Sequence, residues 1–389
     1  MGGLIDVTST ETGTIAAIEP GEERLDLLQE GSEAFDALMR LIASAKRDLR
    51  LLFYTFASDR CGRQVMDGLK AACERGVNVS LIVDDVGSLE TDDGFFDPLE
   101  ACGGRFREFQ TNMLANYLLR NHQKMAIADG ERAIVGSFNI ADSHLAGSDP
   151  DSWRDIGVSI EGPAAARLAI YYDRLDDWMR SGNGKISALR KLIDESNEAE
   201  GDVRWVIGGP AIGRNHYARQ VRREFAESSN VDLIMAYFTP TREVLKSVRE
   251  QSRKGRLRLV SAGKTDVQMS RAAAWHTYSG LLKTGAEIYE YQPRLLHTKL
   301  IVTDNAVLIG SGNFDMRSLY INMEIMLRVE RPDFHQDVRT MFEGELEDSV
   351  RIDRETLNAR GHWYKRILWG VSYWTMVGLD GLLSKIFAR

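Results

Sequence analysis

The sequence has few cysteines and no long apolar run. Its 389 residues include only Cys61, Cys73 and Cys102, an odd number without CxxC spacing. This pattern argues against a disulfide framework and against a zinc site. No uncharged apolar stretch reaches the roughly 18 residues that a transmembrane helix needs. The N-terminus also lacks the basic and apolar regions of a secretory signal, so we expect no membrane span and no export.

An excess of positive charge is also lacking. The net charge is −8 and the sequence pI is about 5.5. A nucleic-acid-binding domain normally carries a basic footprint, so the composition argues against nucleic acid as a partner. A hydrophobic fraction of 43% and a charged fraction of 27% are typical of a soluble globular protein, and the length suits two domains.

The chain contains a repeated motif. Residues 122–139 read HQKMAIADGERAIVGSFN, and residues 297–313 read HTKLIVTDNAVLIGSGN. Each copy has the pattern HxKxxxxD followed by GSxN, and the two histidines are 175 residues apart. One such match could arise by accident, but two at nearly the same internal spacing indicate a duplicated unit.

The segments before each motif also correspond. In both halves apolar strands alternate with amphipathic helices, which is typical of parallel strands covered by helices on both faces. The predicted fold class is therefore α/β, with two similar lobes, mixed but mostly parallel sheets flanked by helices, and one active site shared between the lobes. We place lobe one at residues 1–200, lobe two at residues 201–350 and a C-terminal tail at residues 351–389.

Strand parity divides the residues of each motif. Side chains alternate along a strand, so His122 and Lys124 share one face, as do His297 and Lys299. The two motif aspartates fall at the following turn, and we expect them to be mainly structural. The serine and asparagine of each GSxN share a parity on the returning strand and can support a bound phosphate. The candidate catalytic motif residues are His122, Lys124, Asp129, His297, Lys299 and Asp304, and the candidate supporting residues are Ser137, Asn139, Ser311 and Asn313.

This set of side chains suits phosphoryl chemistry without a metal. No acidic cluster accompanies the histidines, and two histidines alone make a poor zinc site, so we expect neither metal nor cofactor. One histidine can attack phosphorus to give a covalent phosphohistidine, and the other can protonate the leaving oxygen. Lysine and asparagine side chains can stabilise the negative charge on the phosphate oxygens.

The paired motifs resemble those of the phospholipase D superfamily over nearly the whole chain. The strings WRDIGVSIEGPAA, LLHTKLIVTD and GSGNFDMRSLYINMEI are, in finer detail, similar to those of bacterial cardiolipin synthases. The resemblance implies His122 as the nucleophile and His297 as the general acid/base. It also implies a downstream acid that orients each histidine. We expect this acid to be Asp155 in lobe one and Glu324 in lobe two.

Five other histidines lack the motif context. We interpret them as structural or exposed; they are His144, His216, His276, His335 and His362.

The tail is rich in tryptophan and flanked by basic residues. Its uncharged stretch between Arg366 and Asp380 is too short to span a bilayer. Tryptophan, leucine and isoleucine with flanking basic residues favour a helix at a membrane surface, and the alternative is a C-terminal helix packed on the lobes. The basic flanks are Lys365, Arg366, Lys385 and Arg389.

The resemblance implies a phosphatidyltransferase of the cardiolipin synthase type. Its substrate would be an anionic phospholipid, phosphatidylglycerol, reached from the cytoplasmic side of a bacterial inner membrane by peripheral attachment. Two alternatives remain open at this stage: a phospholipase D hydrolase or head-group exchanger, and a metal-independent endonuclease. The acidic pI and the aromatic tail disfavour the endonuclease. The oligomeric state and the acceptor alcohol are left open.

Overall fold

The structure is a computed structural model that describes residues 23–110, 119–147, 149–181, 185–198, 200–211 and 215–384. The N-terminal residues of the sequence, together with Lys385 and Arg389 of the tail, lie outside the described residues.

The N-terminal half builds a seven-stranded sheet between helices. Its strands are β1 (Arg24–Leu28), β2 (Asp48–Phe53), β3 (Asn78–Asp84), β4 (Arg105–Phe109), β5 (Met125–Ala128), β6 (Arg132–Gly136) and β8 (Gly157–Glu161), and the short β7 (Trp153–Arg154) lies outside this sheet. Its helices are α1 (Gly31–Ser44), α2 (Arg60–Glu74), α3 (Asp97–Ala101), α4 (Asp142–Leu145), α5 (Pro163–Arg180) and α6 (Ile186–Ser196). The strand order is β1-β8-β6-β5-β2-β3-β4.

The C-terminal half builds an eight-stranded sheet of related topology. Its strands are β9 (Val203–Gly208), β10 (Asn230–Met235), β11 (Arg256–Ala262), β12 (Glu287–Tyr291), β14 (Lys299–Val302), β15 (Val307–Gly310), β16 (Glu324–Val329) and β17 (Ser349–Ile352), and β13 (Leu295–Leu296) lies outside it. The strand order is β17-β12-β11-β10-β14-β15-β16-β9. The helices are α7 (His216–Glu227), α8 (Arg242–Lys254), α9 (Gln268–Lys283), α10 (Met316–Tyr320), α11 (Pro332–Glu347), α12 (Arg354–Arg360) and α13 (Trp363–Ser384).

The mixed α/β architecture is confirmed, but the expected predominance of parallel pairs is wrong. Parallel pairing is confined to β2–β3–β4 in the first sheet and to β10–β11–β12 in the second. The remaining neighbours in both sheets are antiparallel. The reason is connectivity, because a parallel pair needs a helical crossover whereas a motif hairpin such as β5–β6 closes through a tight turn. Helical crossovers precede each motif, and the motif itself forms a hairpin.

One apolar core runs through both halves. Tyr172 and Leu175 of α5 belong to the same buried cluster as Trp205 of β9 and Leu233 of β10. A second cluster fills the space beneath α1 and α2. The division at residue 200 stays a prediction. The C-terminal sheet extends to Ile352 through β17, two residues beyond the boundary assigned to lobe two.

The motif aspartates fasten the turns to the sheets. The Asp129 carboxylate accepts hydrogen bonds from the backbone N–H groups of Lys46, Arg47 and Asp48, at the start of β2. Burial opposes ionisation of Asp129, but these amides outweigh it and lower the pKa of the carboxyl group. Asp304 likewise accepts from the Ser229 and Asn230 amides at the start of β10.

Asp129 is also the one described non-glycine residue with a positive φ, 59°. Asn tolerates this left-handed conformation better than Ala does. We therefore expect Asp129→Ala to lower the free energy of unfolding by about 2–4 kcal/mol, and Asp129→Asn to lower it less. Urea denaturation at pH 7 measures both changes.

The Asp129 contribution should depend on pH. Its pKa is lower folded than unfolded, so the stabilisation is present above the unfolded pKa and is lost as the pH falls through the folded one. The stability difference between wild type and Asp129→Asn should therefore shrink between pH 7 and pH 3. An Asp129→Ala protein of unchanged stability and lost activity would instead place this aspartate in the chemistry.

Candidate active site

Two short interlobe strand pairings create the site. Strand β7 pairs in parallel with β13, and the His297 amide donates to the Arg154 carbonyl at 2.9 Å. The second pairing is a parallel bridge between Asn121 and Met323, beside which the His122 amide donates to the Met323 carbonyl at 3.0 Å. In each case the segment that precedes an acid in one half runs alongside the segment that leads to a histidine in the other. The two histidines therefore enter one interface.

Because of these strand pairings, each motif histidine contacts the acid of the opposite half. His122 Nδ1 lies 3.1 Å from both carboxylate oxygens of Glu324, and His297 Nδ1 lies 2.7 Å from Asp155 Oδ1. Our expectation that each acid orients the histidine of its own lobe is therefore wrong. The physical reason is that Asp155 directly follows β7, and β7 is paired with the strand before His297.

The GSxN serines support the acids rather than a phosphate. Ser137 Oγ donates to Asp155 Oδ1 at 2.6 Å, and Ser311 Oγ donates to Glu324 Oε2 at 2.5 Å. Ser318 Oγ adds a bond to Glu324 Oε1 at 2.7 Å. Each carboxylate is thus fixed by neutral donors from its own half while it accepts a histidine proton from the other half.

Both motif lysines are buried and curl back toward their histidines. Lys124 Nζ donates to the His122 carbonyl at 2.5 Å, and Lys299 Nζ donates to the His297 carbonyl at 2.5 Å. Burial lowers the pKa of Lys124 to about 7, against the opposing pull of Glu324 and Asp155. Burial also lowers the pKa of Lys299 well below its usual value.

Burial likewise lowers the pKa of both motif histidines in the free protein. It lowers the pKa of His122 to about 4, although Glu324 opposes the shift, and Lys124 reinforces it. The pKa of His297 also falls well below its usual value through burial and the Lys299 charge. Burial opposes the ionisation of Asp155, yet contacts with His297 and His144 hold its pKa well below the usual range. The anionic Asp155 is the natural acceptor for the Nδ1 proton of His297.

The sequence interpretation missed His144. We had grouped it with the structural histidines, but its Nδ1 lies 2.6 Å from Asp155 Oδ2 and its ring lies 5.1 Å from that of His297. The repeat contained the signal, because His144 follows Ser137 by seven residues just as Ser318 follows Ser311. Both residues donate to the acid of their own half.

The two motif asparagines differ in their contacts. Asn139 Oδ1 accepts from the Thr55 amide, and Asn139 Nδ2 lies 3.3 Å from His144 Nε2. Asn313 Oδ1 is buried and has no hydrogen-bond partner in the described part of the chain. Asn139 is therefore committed to the network around His144, whereas Asn313 has hydrogen-bonding capacity left for a substrate.

One potential metal-ligand atom from each of His144, Asp155 and His297 lies within 4.8 Å of the other two. Hydrogen bonds already connect them, so a cation placed among them would have to displace two protons. The expectation that the site uses no metal stays a prediction. The motif aspartates Asp129 and Asp304 lie apart from this centre, at the far ends of β5 and β14.

Comparison of the sequence with known protein families identifies a match that covers both halves of the chain. The family model for the cardiolipin synthase, phospholipase D-like domain matches residues 38–174 and 222–346, one segment in each half. The chain belongs to this family. As a member, it is an enzyme of the phosphatidyltransferase class.

Individual relatives agree with the family assignment. A cardiolipin synthase 1 from Bacillus cereus is 29% identical over 360 residues, which cover 88% of this chain and 70% of the relative. A cardiolipin synthase B from Shigella flexneri is 27% identical over 355 residues, with 87% and 84% of the two chains covered.

Solved structures share the fold of this phospholipase D-like enzyme. The phosphatidylserine synthase of Haemophilus influenzae superimposes with a TM-score of 0.69 at 14% identity, covering 93% of this chain and 95% of the other. The polyphosphate kinase of Porphyromonas gingivalis gives a TM-score of 0.59 at 15% identity, covering 92% of this chain and 53% of the other. At these identities the likeness concerns the fold alone.

The crossed histidine–acid pairs can be tested by NMR of histidine-labelled protein. Asp155→Asn should shift or remove the downfield Nδ1–H signals of His297 and His144 and leave that of His122 in place, because His297 and His144 bond to Asp155 whereas His122 bonds to Glu324. Glu324→Gln is the matched control and should affect His122 alone. Pairing within each lobe would produce the reverse pattern.

Proposed function

We propose that the enzyme transfers a phosphatidyl group from one phosphatidylglycerol molecule to another, releasing glycerol and forming cardiolipin. The observation that supports this most directly is the interlobe centre, in which two histidines with opposed carboxylates share a buried, lysine-lined site. The similarity to relatives that are cardiolipin synthases supports the same substrate class.

The two histidines are proposed to have different roles. His122 Nδ1 is shared between both oxygens of Glu324 at 3.1 Å, while His297 makes a single, shorter bond of 2.7 Å to Asp155. The shorter bond to a carboxylate stabilises an imidazolium better, which favours His297 as the general acid/base. The neutral His122 then serves as the nucleophile, and its Nε2 is the nitrogen available for attack.

The proposed reaction has two steps. His297 takes up a proton when the anionic phosphate group of the substrate binds beside it, because that charge and Asp155 both favour the imidazolium. His122 Nε2 then forms a bond to phosphorus, the bond from phosphorus to the glycerol oxygen breaks, and His297 protonates that oxygen. A hydroxyl group of a second phosphatidylglycerol then gives its proton to His297 and attacks phosphorus, which releases His122. Lys124 and Lys299 stabilise the negative charge on the non-bridging oxygens during both steps, because the attraction between an ammonium group and a phosphate oxygen is stronger in a buried site than in water.

Helix α13 provides a surface for lipid. Trp369 packs on Trp275 at 5.3 Å, and Tyr373 stacks on His276 at 5.1 Å and donates to the Pro240 carbonyl. The packed-helix interpretation of the tail therefore describes one face of α13. The opposite face carries exposed apolar side chains, with exposures between 44% and 76%: Trp363, Tyr364, Ile367, Leu368, Val371 and Trp374.

The position and charge of this face favour a membrane as its partner. Pro240 belongs to the loop after β10, in which the Thr239 amide donates to the Phe314 carbonyl, and Phe314 directly follows Asn313 of the site. The Arg242 guanidinium lies over the Trp374 ring at 4.2 Å, so cation and aromatic ring meet at the edge of the face. Aromatic and basic side chains together suit the interface of an anionic bilayer.

In the described part of the chain, no helix is long and apolar enough to cross a bilayer. The exposed apolar and aromatic side chains of α13 and the adjoining Arg242 are the basis on which we propose peripheral attachment through this face, on the cytoplasmic side of a bacterial inner membrane.

The proposed activity predicts defined products. Wild-type protein on phosphatidylglycerol vesicles should yield cardiolipin and glycerol, measured by mass spectrometry. His122→Ala should form no covalent lipid adduct. His297→Ala should still form an adduct from a phosphatidyl ester of p-nitrophenol, since that leaving group needs no proton.

Phosphatidate without cardiolipin would identify a hydrolase instead. An adduct on His122→Ala but not on His297→Ala would reverse the two roles. Nicking of plasmid DNA in the presence of EDTA would support an endonuclease.

The membrane surface makes a separate prediction. Replacing Ile367 and Leu368 with serine should weaken binding to anionic vesicles by about tenfold or more, because two exposed apolar side chains no longer enter the bilayer. The matched control replaces Leu89 and Ile170, which are exposed apolar residues outside α13. Vesicle co-sedimentation measures both. Equal losses in the two variants would argue against α13 as the docking surface.

A further inference from the structure

His144 is a third histidine in the catalytic centre, beside the two motif histidines. It is 7% exposed, and its Nδ1 contacts Asp155, the carboxylate that also accepts from His297. The Trp153 ring stacks on His144 with an interplanar angle of 9° and meets His297 edge-on. A Cβ added at Gly31 would lie 2.0 Å from the His144 carbonyl oxygen, so α1 presses closely on the short helix that carries this histidine.

The hydrogen-bond network around His144 fixes its tautomer. The Thr55 amide can only donate, so the Asn139 atom that faces it is the acceptor Oδ1. Asn139 Nδ2 therefore donates to His144 Nε2, which must be unprotonated. The proton of a neutral His144 then lies on Nδ1 and points to Asp155 Oδ2.

The other half of the molecule shows the counterpart of this arrangement. Ser318 occupies the repeat position of His144 and donates to Glu324, as His144 donates to Asp155. The side-chain lengths are complementary: the longer glutamate side chain bonds to the shorter serine, and the shorter aspartate side chain bonds to the longer histidine.

We propose that His144 is a positioning residue for proton transfer, which holds Asp155 so that a single carboxylate oxygen faces His297. This proposal rests on the proposed function, because it assigns the His144–Asp155 pair to the step in which His297 protonates the leaving glycerol oxygen. His144 touches neither phosphorus nor the leaving group in this scheme. The titratable groups in contact with His144 are Asp155, to which it is hydrogen-bonded, and His297, whose ring lies 5.1 Å away.

The leaving group separates this role from a general structural one. When His122 displaces glycerol, the breaking P–O bond leaves its electron pair on oxygen, which takes a proton from His297. When it displaces p-nitrophenol from the phosphatidyl ester, the oxygen departs as an anion and needs no proton. A residue that acts through Asp155 and His297 therefore matters for the first substrate and little for the second.

The experiment compares both substrates in detergent–lipid mixed micelles for wild type, His144→Ser, His144→Asn, Asp155→Glu and the double variant H144S/D155E. His144→Ser should lower kcat for glycerol release about 10- to 100-fold, with KM changed less than about twofold. Its burst of p-nitrophenol should stay within about threefold of wild type. His144→Asn, which keeps a donor near the Nδ1 position, should retain most of the activity.

The double variant is the decisive member of the set. It recreates the serine–glutamate pair of the other half, so it should recover about tenfold over His144→Ser, although Asp155→Glu alone is also impaired. Equal losses of His144→Ser on both substrates, or no recovery in H144S/D155E, would overturn the proposal. Melting temperatures identify any variant that is merely unfolded. If His144→Ser is unfolded, the comparison uses the loss of glycerol release in Asp155→Glu and its recovery in H144S/D155E.

Failure of the proposed function would be recognised separately. Wild-type protein that releases glycerol without forming cardiolipin contradicts the proposed acceptor, but its glycerol release still reports the proton transfer that the His144 variants test.

Discussion

The chemistry of this enzyme depends on the hydrogen bonds that cross between its halves. Each histidine is oriented by a carboxylate from the opposite half, and a short interlobe strand pairing brings each such pair together. The buried lysines and the serines that hold the carboxylates are arranged around these two bonds. A charged hydrogen bond in a buried site is strong only when its partners are held in place, and the shared apolar core provides that rigidity.

The duplicated chain is symmetric in topology and asymmetric in chemistry. The bifurcated contact of His122 and the single short contact of His297 arise at equivalent positions, from a glutamate and an aspartate respectively. A duplicated fold can thus supply a nucleophile and an acid/base from the same motif, provided that the residues around each copy differ. His144 and Ser318 are one such difference, and the free capacity of Asn313 beside the committed Asn139 is another.

The sequence allowed a good prediction of the motif and a poorer one of its surroundings. Strand parity placed His122 and Lys124 together and Asp129 at the turn, because local periodicity determines those relations. The crossed acids could not be inferred in the same way, since the pairing of β7 with β13 joins segments about 140 residues apart and no local pattern encodes it. The share of parallel strand pairs was overestimated, because the same alternation of apolar segments precedes both helical crossovers and hairpins. The signal for His144 is present in the sequence, because His144 and Ser318 each follow the serine of their GSxN motif by seven residues.

The contacts between each histidine and the acid of the opposite half also affect how the enzyme folds during synthesis. His122 and the carboxylate that orients it are 202 positions apart in the chain. During synthesis His122, the proposed nucleophile, is made long before Glu324, and the N-terminal sheet can form while Glu324 is still untranslated. The nascent chain therefore carries the complete first motif before it has the carboxylate that orients His122. His122 gains the carboxylate that orients it only when β16 has formed beside the first half, so a truncated or half-folded product lacks an oriented His122.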